Sequence, residues 1–258
     1  ARGRRTHHLE LGAPRVRDDG DSAVHHYARS LDKWQAQTFR VSDDEIKRVA
    51  ASLPETFKDD FAVGLRNVQA FASRQRESLS EFTMEIAPGV QLGQRLIPIG
   101  RVGCYIPGGK YPLISAAAMS VGTARVAGVA HIIGCAPPRP GTQAMYPHTL
   151  YALSASGADE IYCIGGVQAM AAMAYGRAGM RPVDMITGPG NAYVAEAKRQ
   201  LFGLVGIDLP AGPTEICILA DERADPALVA TDLLGQAEHG PDSPAWLVTT
   251  SKELALAV

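Results

Sequence analysis

Residues 231–243 contain the pair of side chains best suited to hold a metal ion, Gln236 and His239. Apolar residues with helical spacing predict a helix over residues 225–238, and Gly240-Pro241 predicts its end. Side chains three residues apart project from one side of a helix, so an amide oxygen and an imidazole nitrogen would share a face. Zinc accepts histidine readily and glutamine less often. The alternative interpretation is a solvated histidine at the negative end of the helix dipole.

Three glycine-rich turns, each between a predicted strand and a predicted helix, indicate a second kind of site. They are Tyr105-Ile-Pro-Gly-Gly109, Gly165-Gly166 and Gly188-Pro-Gly-Asn191. In a parallel sheet such turns meet at the carboxyl edge, where ligands bind and where helix N-termini suit an anion. None of the three turns has the Gly-x-Gly-x-x-Gly or Walker sequence, so a standard nucleotide-binding loop is not predicted. Beside the turns, Tyr105, Gln168 and Asn191 can hydrogen-bond a ligand, although Asn191 is equally well explained as a helix N-cap.

Two further places have a functional and a plain structural interpretation. Thr214, at the end of Ala211-Gly-Pro-Thr214, is either a hydroxyl ligand or an ordinary turn residue. Lys198 and Arg199, in the helix after Asn191, are predicted to be solvated.

The cysteines and the net charge indicate the compartment and the kinds of partner expected for the protein. Four cysteines lie in apolar, strand-like segments without a Cys-x-x-Cys pair: Cys104, Cys135, Cys163 and Cys217. They predict buried free thiols and a reducing compartment, the cytoplasm. A formal net charge of −2 gives no indication of a nucleic-acid or membrane partner. The chain has no run of about 18 apolar residues that would span a bilayer.

The order of the elements predicts an α/β protein with an N-terminal helical segment. Helical spacing covers residues 15–34, a capping box at Ser42-Asp-Asp-Glu45 opens a short helix, and a longer helix follows Pro54. Residues 83–99 alternate around Pro88-Gly89 and predict a hairpin. Strands then alternate with helices as in a parallel sheet. The predicted strands are 102–106, 132–135, 161–164, 183–186, 216–220 and 246–249, and the predicted helices are 112–127, 145–156, 167–177, 190–202, 225–238 and one from 251.

At 258 residues the chain can bury a large core in one large or two medium domains. The simplest layout has two α/β sheets joined near residues 206–213. The basic start, residues 1–8, is not followed by an apolar segment, so we expect a disordered start rather than a secretory signal. The chain begins without methionine and stops soon after a helix begins at Ser251, so we expect both ends to be cut.

Five motifs together resemble the histidinol dehydrogenase family, and the resemblance covers roughly residues 16–258. Each motif alone is weakly specific, whereas five in the same order are highly specific. They are Val102-Gly-Cys-Tyr-Ile-Pro-Gly-Gly109, Gly165-Gly-Val-Gln-Ala169, Gly188-Pro-Gly-Asn191 through Ala195-Glu-Ala-Lys-Arg199, Asp208-Leu-Pro-Ala-Gly-Pro-Thr214 and Gln236-Ala-Glu-His-Gly240.

The resemblance implies an enzyme that oxidises a primary alcohol to a carboxylate in two NAD-dependent hydride transfers, through an aldehyde that stays bound. It implies that Tyr105, Gln168 and Asn191 contact NAD. It further implies two Rossmann-like domains and an active site at a homodimer interface. We therefore predict a Rossmann-like NAD-binding domain over residues 104–212. Residues 1–103 and 213–258 are predicted to form a helical N-terminal region and an incomplete second α/β domain, with the C-terminal part of the family fold absent from this chain.

The resemblance also implies that Gln236 and His239 are two of four zinc ligands and contact the substrate. Thr214 falls where the family has a substrate-contacting serine, and threonine keeps the hydroxyl but adds a methyl group. A bound zinc would polarise the carbon–oxygen bond of the alcohol. The general base, a histidine preceded by glutamate, and the two remaining ligands, an aspartate and a histidine, are expected beyond Val258.

The substrate is either L-histidinol or a related amino or sulfo alcohol. Gly166-Val-Gln168, Leu201-Phe-Gly-Leu-Val-Gly-Ile-Asp208 and Ser243-Pro-Ala-Trp-Leu-Val248 resemble a sulfopropanediol dehydrogenase branch of the family. Gly108-Gly-Lys-Tyr-Pro-Leu113 departs from the Arg-Tyr and Ala-His pattern of that branch and resembles the histidinol enzymes.

Two other classes of protein remain as alternatives. One is a non-catalytic nucleotide-binding module. The other is a metal-free aldehyde dehydrogenase, which would need a reactive cysteine at a strand end rather than inside an apolar run.

Overall fold

The computed structural model describes residues 12–35, 37–108, 112–209, 214–240 and 243–258. The chain divides into two compact units, Ala1–Pro210 and Ala211–Val258. Some residues used in the sequence predictions lie outside the described ranges. They are the basic start, Gly109 and the run from Ala211 to Pro213.

The first unit is built on a parallel sheet with the strand order β5-β4-β3-β6-β7. Its strands are β3 Arg101–Tyr105, β4 His131–Ala136, β5 Glu160–Cys163, β6 Met185–Thr187 and β7 Gly206–Ile207. Of these five strands, β3 comes first along the chain and lies at the centre of the sheet. Strands β4 and β5 lie on one side of it, and β6 and β7 lie on the other. The order therefore reverses between β3 and β6, and ligands bind outside the carboxyl ends of strands at such a switch point.

Helices cover both faces of this sheet. They are α1 Gly12–Asp19, α2 Asp21–Leu31, α3 Asp43–Ser52, α4 Glu55–Glu77, α5 Ile114–Ala117 continuing through a π-helical turn Ala118–Gly122 into α6 Thr123–Val126, α7 Pro147–Ser156, α8 Gly166–Tyr175 and α9 Ala192–Leu201. Helices α1 and α2 contact α8, so the N-terminal helices belong to the packing of this unit. No helix in the described part of the chain is long and apolar enough to cross a membrane.

Close approach of helices explains two glycines inside the central strands. A Cβ atom on Gly134 of β4 would lie 2.6 Å from Cδ2 of Leu153 in α7. A Cβ atom on Gly103 of β3 would overlap the sulfur of Met173 in α8. These strands are buried on both faces, as a doubly covered parallel sheet requires.

A hairpin of β1 Phe82–Ala87 and β2 Val90–Gln94 confirms the predicted alternation. Met84 pairs with Leu92 on one face, together with Phe82, and all three side chains are exposed. A two-stranded hairpin is marginally stable in water, so this apolar face suits an interface.

The second unit contains the parallel strands β8 Ile216–Ala220 and β9 Ala245–Thr249, with α10 Pro226–Ala237 and α11 Lys252–Ala257. Every helix and strand predicted from the alternation is present in the two units, with shifted ends, whereas the short strand β7 was not predicted. The capping box is confirmed, because the Ser42 side chain accepts a hydrogen bond from the Glu45 backbone N–H.

Candidate functional site

The strand order of the first unit reverses where β3 and β6 end, so this is the expected place for a ligand. Tyr105 is the last residue of β3, and Gly188 directly follows β6. Gly188 has a φ of 118°, and a Cβ atom there would overlap the backbone oxygen of Tyr105. Only glycine therefore allows the turn after β6 to lie this close to the end of β3.

The Gly165-Gly166 turn after β5 is held by Tyr105. The Gly166 backbone N–H donates to the Tyr105 hydroxyl oxygen at 3.2 Å. Gly166 has a φ of 60°, and a Cβ atom on Gly165 would lie 2.6 Å from Cβ of Pro137. Burial raises the pKa of Tyr105 to about 12, so its hydroxyl stays neutral and keeps a proton that it can donate.

Gln168 is fully buried in the first turn of α8. Its Nε2 donates to Oδ2 of Asp32, which directly follows α2, at 2.7 Å. Burial raises the pKa of Asp32 to about 6, and the hydrogen bond from Gln168 opposes that shift. The predicted ligand residues Tyr105 and Gln168 therefore meet at one turn, with a carboxylate that sequence reasoning missed.

Replacing Asp32 by asparagine is expected to stabilise the fold at pH 8. The pKa in the folded state is about 6 against 3.8 for the ordinary group, so the folded state holds the proton more tightly. Stability linked to this group is present below about pH 4, is lost as the pH rises through 6, and stays lost above it. Because the side chain is only partly buried, we expect Asp32→Asn to raise the free energy of unfolding by about 1–2 kcal/mol at pH 8.

Urea unfolding of the full-length protein at pH 4 and pH 8 tests this expectation, because the gain should vanish at pH 4. The control is Asp18→Asn, since Arg17 at the surface holds the pKa of the Asp18 carboxyl below its usual range. That variant should show no gain at pH 8. A loss of stability in Asp32→Asn at pH 8 would contradict the assigned cost of burying the carboxylate.

The Gly188 turn is held by an ion pair between the buried Lys198 and the half-buried Asp208. Oδ2 of Asp208 accepts a hydrogen bond from the Gly188 N–H at 2.7 Å, and the Lys198 ammonium donates to the Gly188 carbonyl at 3.0 Å. Lys198 also pairs directly with Asp208. The prediction that Lys198 is solvated was wrong, because its side chain is 3 % exposed, whereas Arg199 is exposed as predicted. The prediction failed because Lys198 is buried only through its pairing with Asp208, and Asp208 directly follows β7, ten residues further along the chain.

Asn191 lies at the end of the same turn and is exposed. Its Oδ1 accepts hydrogen bonds from the backbone N–H groups of Tyr193 at 3.0 Å and Val194 at 3.1 Å. The N-cap interpretation is confirmed, and the amide nitrogen remains as the end suited to a ligand. Its predicted contact with NAD stays a prediction.

In the second unit, Gln236 and Thr214 come together. Nε2 of Gln236 donates to the Thr214 backbone oxygen at 2.7 Å and contacts its Oγ1 at 3.1 Å. The amide nitrogen is thereby occupied, so the amide oxygen is the end directed elsewhere. Glutamine binds zinc through its amide oxygen, so Gln236 has the atom needed for one ligand position of a zinc site.

His239 is exposed in the turn that follows α10. Its backbone N–H donates to the Gln236 carbonyl at 3.1 Å, so the chain continues to turn past the helix end. Because α10 runs back from the carboxyl end of β8, Gln236 and His239 lie near the amino ends of β8 and β9. The described residues contain no group of three His, Cys, Asp or Glu side chains that could hold a metal ion. The assignment of Gln236 and His239 as zinc ligands stays a prediction.

Three of the four cysteines are buried free thiols, as predicted. Burial raises the pKa of Cys104 to about 11 and of Cys163 to about 12, and also raises that of Cys135, so none is an activated nucleophile. The prediction for Cys217 was wrong: it is exposed, because the two-stranded sheet of the second unit alternates between covered and open positions.

Three residues of the described sites were missed or misjudged from the sequence: Asp32, Lys198 and Asp208. Asp208 is the first residue of a motif that resembles the family, so the sequence could have indicated a role for Asp208. The motif does not show that its partner is Lys198. Asp32 has no neighbouring pattern that predicts a role, because its partner is far away in the sequence.

The family model described as histidinol dehydrogenase matches residues 13–258. A "Histidinol dehydrogenase homolog" from Shouchella clausii is 53% identical over 241 residues, which are 93% of this chain and 56% of that protein. A "Sulfopropanediol 3-dehydrogenase" from Ruegeria pomeroyi is 48% identical over 92% of this chain and 54% of its own length. The crystal structure of a histidinol dehydrogenase from Elizabethkingia anophelis has a TM-score of 0.86 at 34% identity, over 98% of this chain and 58% of that one. The chain thus spans slightly more than half the length of these relatives.

Proposed function

The chain belongs to the histidinol dehydrogenase family, and from this premise we propose that the full-length protein is a zinc-dependent NAD oxidoreductase. It oxidises a primary alcohol, L-histidinol or a related amino or sulfo alcohol, through an aldehyde to the carboxylate in two hydride transfers. The observation that carries the proposal is the family match over residues 13–258. The five motifs that resemble the family lie within this span and in the same order.

NAD is proposed to bind at the switch point of the sheet, at the carboxyl ends of β3 and β6. Three features support this place: the strand order reverses there, glycine turns line it, and Gln168 carries a buried amide oxygen without a hydrogen-bond partner among the described residues. Tyr105 donates from a neutral hydroxyl, and Asn191 offers its amide nitrogen next to the N-terminus of α9. A helix N-terminus favours the negative charge of a pyrophosphate.

Gln236 and His239 are proposed as zinc ligands that also contact the substrate, with Thr214 beside them. A bound zinc would act as a Lewis acid that polarises the carbon–oxygen bond of the alcohol. Thr214 holds the Gln236 amide nitrogen and so directs the amide oxygen, while its own hydroxyl and methyl group shape the place for the substrate. We propose that the general base and the remaining ligands come from the part of the full-length protein outside this chain.

The assembly follows from the same premise. We propose that the Rossmann-like domain predicted over residues 104–212 binds NAD. We propose that the incomplete second α/β domain, which includes residues 213–258, is completed by the part of the full-length protein outside this chain. We further propose a cytoplasmic homodimer with a shared active site. The exposed apolar face of the hairpin around Met84 and Leu92 supports an interface in the assembled protein.

A second candidate substrate is favoured by one observation, the 48% identity to the Ruegeria pomeroyi sulfopropanediol 3-dehydrogenase. The deciding experiment incubates the purified full-length protein with NAD and either L-histidinol or sulfopropanediol, and follows NADH absorbance to completion. We expect about two NADH per alcohol consumed, as a two-step oxidation requires. The ratio of kcat/KM values for the two alcohols then assigns the substrate.

The same experiment distinguishes the other classes. One NADH per alcohol would contradict oxidation to the carboxylate. Oxidation of an added aldehyde without oxidation of any alcohol would favour an aldehyde dehydrogenase. Binding of NAD without reduction by either substrate would favour a non-catalytic nucleotide-binding module.

A further inference from the structure

Asp32 and Gln168 form a buried hydrogen bond beneath the Gly165-Gly166 turn, although helices α2 and α8 that carry them are far apart in sequence. An ionised carboxylate only accepts hydrogen bonds, so the Gln168 nitrogen must face Asp32. The amide oxygen Oε1 therefore points the other way. This oxygen is buried and has no hydrogen-bond partner among the described residues.

The unpartnered oxygen lies at the turn itself. A Cβ atom on Gly166 would be 3.1 Å from Oε1 of Gln168, and one on Gly165 would be 3.6 Å from Oδ2 of Asp32. The same Gly166 donates its N–H to Tyr105. The acceptor is thus placed at the carboxyl edge of the sheet, beside a glycine whose missing side chain leaves space next to it.

Both members of the pair oppose stability. Burial disfavours the charge on Asp32, and a buried carbonyl oxygen without a donor keeps the full cost of its desolvation. Two apolar side chains of similar volume would avoid both costs. An arrangement that is unfavourable in the protein alone becomes favourable when a ligand supplies the missing donor.

We propose that Asp32 is a positioning residue, which holds the Gln168 amide in one orientation so that Oε1 accepts a hydrogen bond from a ligand at the Gly165-Gly166 turn. The inference rests on the proposed function, in which that ligand is NAD. The group at Oε1 is then a donor of the dinucleotide, a ribose hydroxyl or the carboxamide N–H. A phosphate of the dinucleotide has no hydrogen to donate at neutral pH, so the pyrophosphate is not the group that Oε1 binds.

The geometry also gives the expected effect of loosening the pair. With asparagine at position 32, the neighbouring group can donate as well as accept, so the Gln168 amide can turn over and present its nitrogen to the ligand. A nitrogen facing the donor of NAD repels it. In the variant, both orientations of the Gln168 amide are therefore allowed, although the shape of the site is unchanged.

The test measures NAD binding by isothermal titration calorimetry and the thermal midpoint Tm for the full-length protein at pH 8. Asp32→Asn is expected to weaken NAD binding about tenfold, as for the loss of one hydrogen bond, without lowering Tm. Gln168→Met removes the oxygen at similar length and should weaken binding at least as much. Because Asp32 acts through Gln168, the double variant should bind NAD no more weakly than Gln168→Met alone.

Asp159→Asn is the matched control. Like Asp32, Asp159 is a carboxylate with a hydrogen-bonding partner in the fold, although its residue is exposed. It accepts a hydrogen bond from the Ile132 backbone N–H at 2.7 Å and pairs with Arg125 at the amino end of β4. This variant should lower Tm and leave the affinity for NAD unchanged.

The outcomes separate the inference from the proposed function. If the unchanged protein binds no NAD, both are overturned. If it binds NAD and Asp32→Asn binds equally well, only the positioning role is overturned. Weaker binding together with a lower Tm in Asp32→Asn would assign Asp32 a structural role and also overturn it, whereas weaker binding at an equal or higher Tm supports it.

Discussion

Replacing Lys198 by methionine is expected to lower the free energy of unfolding of the first unit by about 1–3 kcal/mol. Lys198 is buried and is hydrogen-bonded to the Gly188 carbonyl as well as paired with Asp208. Methionine fills a similar volume but leaves the Asp208 carboxylate without its cation and the carbonyl without its donor. Urea unfolding followed by circular dichroism at neutral pH measures the change.

The exposed neighbour provides the matched control. Arg199 on the same helix pairs with Glu196 at the surface, so Arg199→Met should leave the free energy of unfolding nearly unchanged. Replacing Asp208 by asparagine as well should recover part of the loss in Lys198→Met, because the unpaired charge is removed. Equal effects of Lys198→Met and Arg199→Met would contradict an ion pair that holds the Gly188 turn.

The second large effect concerns the metal. In the full-length protein, His239→Ala is expected to abolish zinc retention and to lower kcat by at least about 100-fold, since ligands and even their supporting residues matter this much. If His239 is one of the four proposed ligands, its loss would leave an incomplete set of donors around the ion. Metal content by atomic emission after gel filtration, together with NADH formation, measures both effects.

Glu238 provides the control for that variant, because it is equally exposed and adjacent in sequence. Both residues lie in the turn that continues past the end of α10, where consecutive side chains point in different directions. Glu238→Gln should keep its zinc. Stoichiometric zinc in His239→Ala would show that this histidine is not a ligand, whatever the effect on kcat.

Local features of the fold could be predicted from the sequence alone. The cap predicted at Ser42 is confirmed, and Ser251 caps the helix that was predicted to begin there, because a cap joins groups within three residues of each other. The alternation of strands and helices follows from hydrophobic periodicity and glycine turns, which are also local. The turns that carry Tyr105, Gln168 and Asn191 were placed correctly at strand ends for the same reason.

Pairings between distant segments could not be predicted in this way. The strand order that places Tyr105 beside Gly188 depends on which strands pair, and the two-residue strand β7 is too short to show periodicity. Lys198 looks like a solvated helix residue until Asp208 is known to lie beside it. Cys217 looks like a core residue until its sheet is known to have two strands.

By itself, the sequence determined the α/β class, the element boundaries to within a few residues, and the residue types that line the glycine turns. The tertiary structure alone decided that Asp32 accepts a hydrogen bond from the Gln168 amide and that Lys198 is buried. The physical reason is that hydrogen bonds within a few residues are encoded by neighbouring side chains. A buried charge, in contrast, is favourable only with a partner that the folded chain brings from far away.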